Sequence, residues 1–142
     1  MTSVPSQSAE DYLERILELV QETGQARVVD IANSLNVRQA SVTNMVKKLC
    51  ELGYVDHEKY KRGLVLTKKG QQVALEIQRR HETLSSFFSM LELDDETQRR
   101  DIEGIEHHLS RGTVRVLEDL VSFFEEHPEV LKKFLGSRSN VR

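Results

Sequence analysis

A chain of 142 residues with 38% hydrophobic and 30% charged residues makes one compact domain, or a small domain plus an extension, with a modest core, which excludes a disordered chain. Its single cysteine, Cys50, excludes an internal disulfide and any multi-cysteine zinc site, and no apolar run reaches the roughly 20 residues of a membrane helix. The net charge of −3 argues against a uniformly basic nucleic-acid binder, and the polar start Met1–Ser8 lacks the apolar stretch of a signal peptide, so a cytoplasmic location is expected.

Ser8 caps a predicted first helix, with Asp11 at the capping-box position; Leu13, Ile16, Leu17 and Val20 repeat at helical spacing and Gly24 stops it. Val28–Leu35 forms a short second helix, Asn36-Val37 a turn, and Gln39–Leu52 a third helix whose inner face is Val42, Met45, Val46 and Leu49. Two short strands, Tyr54–His57 and Leu64–Leu66, flank the basic loop Glu58–Gly63. Thr67 then caps a long fourth helix running through His81 toward Leu91. A fifth helix begins at Asp94-Asp95 and ends near Leu109, a sixth covers Thr113–Glu126, and Pro128 opens a short seventh, with Gly136 leading into a basic tail. The fold class is therefore mainly α: a winged helix-turn-helix over residues 1–70 and a helical domain over 71–142, with a linking helix at about 68–91.

Charge is distributed unevenly over these parts. Between Arg38 and Gly70 stand eight basic and three acidic residues, net +5, whereas Gln71–Arg142 carries ten basic and fourteen acidic. A basic stretch on an acidic body fits a protein that meets phosphate with one part only, although such residues also serve simply to solvate a surface. The first turns of a helix lying in the major groove meet base edges. Here they offer Arg38, Gln39, Ser41, Thr43 and Asn44; Lys47 and Lys48 lie further along, within reach of phosphates. Lys59, Lys61 and Arg62 in the wing suit the adjoining backbone or minor groove, and Tyr60 packs beneath the wing or donates to a phosphate.

The second half carries Glu103, Glu106 and His107 at i, i+3 and i+4 of the fifth helix, and the first helix carries Asp11 and Glu14 at i and i+3. His81 lies on the fourth. Read alone, Glu-x-x-Glu-His is equally a solvated acidic face. If the three helices converge, four carboxylates repel one another unless two divalent cations balance them, and an oxygen-rich set with imidazole and no thiolate suits a hard ion such as Mn²⁺. His108 falls one residue off this face and is expected to face a partner or stand beside the ligands, not to be a ligand. His57 and His127 read as surface residues, and Cys50 as a small hydrophobe.

Five stretches together resemble the diphtheria-toxin-repressor-like, metal-dependent bacterial regulators. They are residues 9–14 (AEDYLE), 42–49 (VTNMVKKL), 62–70 (RGLVLTKKG), 80–82 (RHE) and 101–110 (DIEGIEHHLS). The resemblance covers nearly the whole chain and is closest to the manganese-responsive members. It implies a homodimer built through the C-terminal helices, a repressor binding double-stranded operator DNA at metal-uptake genes, and a two-ion Mn²⁺ site. The ligands it implies are Asp11, Glu14, His81, Glu103, Glu106 and His107. Iron-responsive members resemble the chain less well, having Met near the position of Asp11 and Cys at that of Glu106. Longer members add an SH3-like domain for which this chain ends too early. Relatives commonly carry a Pro where this chain has Arg38-Gln39-Ala40, which leaves operator preference open. Two other readings stand beside this one: a metal-independent winged-helix regulator sensing another effector, and a dinuclear metal hydrolase, for which no nucleophile or base motif is present. No catalytic residue, membrane partner or small-molecule substrate is expected.

Overall fold

The computed structural model describes residues 5–56 and 63–138, and among these the chain forms seven α-helices and one two-stranded sheet. It divides into two compact units, Met1–Gln78 and Arg79–Arg142, that share the long fourth helix.

In the first unit, α1 (Gln7–Thr23) starts two residues earlier than the sequence suggests, because Ser6 rather than Ser8 is its cap and accepts the Ala9 N–H. The earlier start adds Gln7 and Ser8 to the helix, and Ala9 and Glu10 in its first turns are buried. Gly24, left-handed at φ 83°, ends it as expected. α2 (Val28–Leu35) and α3 (Gln39–Glu51) enclose the turn at Asn36, whose left-handed backbone returns its N–H to the end of α2. One core joins the inner faces of these helices: Leu13, Ile16 and Leu17 from α1, Ile31 and Ala32 from α2, and Val42, Val46 and Leu49 from α3. Met45, expected inside, only borders this core, as does Cys50.

β1 (Val55–Asp56) pairs antiparallel with β2 (Val65–Leu66), Val55 opposite Leu66. Leu64 bridges to Ala26 instead of extending β2. The strands are shorter than predicted, and the loop with His57, Lys59, Tyr60, Lys61 and Arg62 lies outside the described residues. Thr67 makes the predicted cap: its Oγ1 accepts the Gly70 N–H at 3.1 Å and donates to the Gly53 carbonyl at 2.6 Å. Lys69 reaches the Leu52 carbonyl at 3.2 Å and lies over the Tyr54 ring, so it caps α3.

In the second unit, α4 (Lys68–Met90) ends in a turn that holds Glu92 at φ 61°, with the Leu93 N–H returning to the Phe88 carbonyl at 3.1 Å. A side chain bearing Cβ is strained there, and Glu92→Gly is expected to raise stability by about 0.5–1 kcal/mol, read as a higher melting temperature. α5 (Asp95–Ile105) is capped by Asp94, which accepts the Thr97 N–H at 2.8 Å. These Thr97 hydrogen bonds hold the Asp94 carboxyl below its ordinary pKa. A 3₁₀ turn, Glu106–His108, follows where the sequence suggests continued α-helix. α6 (Arg111–Glu126) starts two residues before Thr113 because Ser110 is its cap, and α7 (Pro128–Arg138) runs through Gly136. Leu84, Ile102, Val114 and Val121 are buried here, whereas Val116, Phe123, Val130 and Phe134 on α6 and α7 are exposed.

Candidate metal centre

The 3₁₀ turn decides the local geometry. At about 120° per residue rather than 100°, it departs from the helical face that the i, i+3, i+4 spacing assumes. Glu103 stays exposed on α5, while Glu106 is buried. The Glu106 side chain is only 4% exposed and His107 only 1%. His81 Nδ1, from α4, lies 2.9 Å from Glu106 Oε2, and His107 Nε2 lies 3.5 Å from Glu106 Oε1. A buried carboxylate is thus bracketed by two imidazoles, one on each oxygen. His108 is exposed, as expected of a residue off this face.

α4 is held against the turn and against α6 at neighbouring positions. Arg80 Nη1 donates to the Glu106 carbonyl at 3.4 Å. On another side of α4, the Arg79 guanidinium makes a two-point contact with Glu118 of α6, through Nε to Oε1 and through Nη2 to Oε2 at 2.6 Å. The Thr83 hydroxyl, 2.8 Å from the Arg79 carbonyl, also lies 3.3 Å from Glu118 Oε1. The Arg79 hydrogen bonds hold the Glu118 carboxyl below its ordinary pKa. Sequence reading missed Arg79, Thr83 and Glu118, since a pair separated by 39 positions leaves no local pattern.

The donor set fits a divalent cation. One carboxylate and two imidazoles offer oxygen and nitrogen donors, the set that first-row divalent metals accept. Thiolate chemistry is not offered, since Cys50 borders the core of the first unit. Asp11 and Glu14 lie in that unit, half-buried on α1 and one turn apart.

The candidate nucleic-acid face lies within the first unit. Arg38, Gln39, Ser41, Thr43, Asn44, Lys47 and Lys48 are all exposed on or at the start of α3, opposite buried Val42, Val46 and Leu49. The Thr43 hydroxyl donates to the Gln39 carbonyl at 3.0 Å, which leaves its lone pairs and methyl group to face outward. Neither α2 nor α3 has a side-chain cap; each begins after an arginine, Arg27 or Arg38.

Two family models match the chain in succession: the iron dependent repressor N-terminal DNA binding domain over residues 6–64, and the iron dependent repressor metal binding and dimerisation domain over residues 67–135. The chain belongs to the iron-dependent repressor family. As a member it is a metal-dependent transcriptional repressor, with a DNA-binding half and a metal-binding, dimerising half, and not an enzyme. It is 45% identical over 136 residues to the HTH-type transcriptional regulator MntR of Lysinibacillus sphaericus, covering 96% of this chain and 97% of that relative. The MntR of Listeria monocytogenes serotype 4b (strain CLIP80459) is 45% identical over 137 residues, covering 96% of each chain. Among solved structures, the manganese regulator SloR is similar at a TM-score of 0.71 and 30% identity, over 85% of this chain and 55% of that one. A manganese-dependent transcriptional repressor in complex with manganese is similar at 0.69 and 28% identity, over 81% and 53%. This chain therefore spans little more than half the length of those two solved chains. Among the described residues, no helix is long and apolar enough to cross a membrane.

Proposed function

We propose that this family member is a manganese-responsive repressor that binds operator DNA as a homodimer and silences metal-uptake genes when Mn²⁺ is abundant. The observation that carries this reading is the buried Glu106 carboxylate bracketed by His81 and His107, with no sulfur donor beside it. Relatives named MntR at 45% identity over nearly the full chain support the choice of metal. The ligands we assign are Asp11, Glu14, His81, Glu103, Glu106 and His107. When bound, two divalent cations supply the positive charge that lets four carboxylates share one site.

The output follows from how α1 is built into the DNA-binding unit. Leu13, Ile16 and Leu17 share one core with Val42, Val46 and Leu49 of α3, so α1 and α3 move as a single body. Asp11 and Glu14, as ligands shared with the second unit, fix the placement of that body. In a dimer this sets the spacing of two α3 helices, for which one DNA turn, about 34 Å, is the productive value. Without that tie, the population spreads over other spacings. The exposed Val116, Phe123, Val130 and Phe134 are the apolar surface on offer to a second copy.

Fluorescence anisotropy of labelled operator DNA tests the reading. Affinity is expected to rise by roughly 5–150-fold in Mn²⁺ over EDTA, the range of a coupling of about 1–3 kcal/mol. Equal affinity in the two conditions would mean that this regulator senses something else.

A further inference from the structure

The two sides of the middle of α4 do different work. Arg79 and Thr83 are one turn apart and both engage Glu118 of α6. His81, midway between them, projects roughly 200° around the helix from each. That opposite side meets Glu106. The rotation of α4 about its own axis therefore decides whether His81 meets the buried carboxylate, and the Glu118 contacts oppose that rotation.

We propose that Glu118, gripping Arg79 and Thr83, is a positioning device that sets the rotation of α4 and so holds His81 against Glu106 before metal arrives. The inference rests on His81 and Glu106 being ligands. A group 5–6 Å from a helix axis moves roughly 2 Å when the helix turns by about 20°, enough to open the 2.9 Å His81–Glu106 contact. Metal–ligand distances hold to about 0.2 Å of their typical values, far less than that movement. A guanidinium held at two points by a carboxylate resists rotation better than a single contact does, because both the distance and the plane are fixed. The Thr83 hydroxyl adds a third point on the same carboxylate. His81 itself is half exposed, so burial alone does not hold its ring.

Glu118→Ala, Arg79→Ala and the charge exchange Arg79→Glu/Glu118→Arg test this in the full-length chain. In metal-free protein, the His81 ring signals in NMR spectra are expected to move toward free-histidine positions in each single variant and to return in the exchange. Mn²⁺ affinity, followed by the EPR signal of the free aquo ion, is expected to fall about tenfold in each single variant, as for other groups that orient a metal ligand, and to recover in the exchange. Melting temperature is expected to change by no more than about 4 °C, since exposed ion pairs contribute little. A merely structural pair would move the melting temperature and leave the His81 signals in place. Unmoved His81 signals with wild-type Mn²⁺ affinity in the single variants overturn the clamp. A wild-type chain that takes up no Mn²⁺ overturns the ligand assignment and the purpose given to the clamp, and the metal-free spectra tell the two failures apart.

Discussion

Exchanging Glu106 for glutamine is expected to reduce operator affinity in saturating Mn²⁺ to the level found in EDTA, while the chain keeps its fold. Glutamine preserves the side chain's shape and one carbonyl oxygen but removes the negative charge. The carboxylate is buried, and each of its oxygens faces a different imidazole. In metal-free protein the amide fills the same space between the two rings, so the melting temperature in EDTA should stay within a few degrees. With metal, a neutral amide neither offsets a dication's charge nor bridges as a carboxylate does. The full coupling of roughly 5–150-fold in DNA affinity is therefore at stake. Glu106→Cys provides a second arm: a thiolate is a softer donor, and preference is expected to shift toward Fe²⁺. Anisotropy titrations with Mn²⁺ and Fe²⁺ read both variants, and an unaltered Mn²⁺ response in Glu106→Gln would remove this residue from the ligand set.

The second large effect is steric and lies in the first unit. Gly70 sits in the first turn of α4, and a Cβ there would stand 2.0 Å from the Tyr54 carbonyl oxygen and 2.9 Å from its carbon. Those are backbone atoms, and the same carbonyl accepts the Thr67 N–H at 3.0 Å, so it has no room to retreat. Gly70→Ala must push the start of α4 away from Tyr54, which is itself buried in the core. The expected cost is about 3 kcal/mol, the upper part of the usual range for overpacking. At about 4–8 °C per kcal/mol for a unit of this size, that lowers its melting transition by roughly 12–24 °C. Thermal unfolding followed by circular dichroism measures it; a shift of a degree or two would show that α4 can start elsewhere.

Much of this protein was legible from local rules. The spacing of Leu13, Ile16 and Leu17, and of Val42, Val46 and Leu49, marks helix faces that the structure buries, because a 3.6-residue period leaves only one side for a core. Gly24, Thr67 and Asp94 act as the predicted stops and caps, since such signals depend on backbone groups within a few residues. The exposed set from Arg38 to Lys48 on α3 follows from the same periodicity. Capping misled where two serines compete: Ser6 and Ser8 look alike in sequence, and the folded chain uses the earlier one, whose hydroxyl accepts the Ala9 N–H.

Other features needed the tertiary structure. Sequence spacing treats Glu103, Glu106 and His107 as equals on one helical face. The 3₁₀ turn instead sends Glu106 and His107 inward and leaves Glu103 exposed, a distinction set by packing and not by residue type. Gly70 carries no sign in sequence of the Tyr54 carbonyl beside it, because that approach joins segments 16 residues apart. The Arg79–Glu118 contact is still less visible, since two charged residues among 43 have countless partners until the fold chooses one. The sequence by itself determined the helix faces, the exposed polar face of α3 and the donor chemistry of the candidate ligands, all of which rest on periodicity and residue type. Which carboxylate is buried between imidazoles, and what holds α4 in place beside it, depends on pairings far apart in the chain, which only the folded structure brings together.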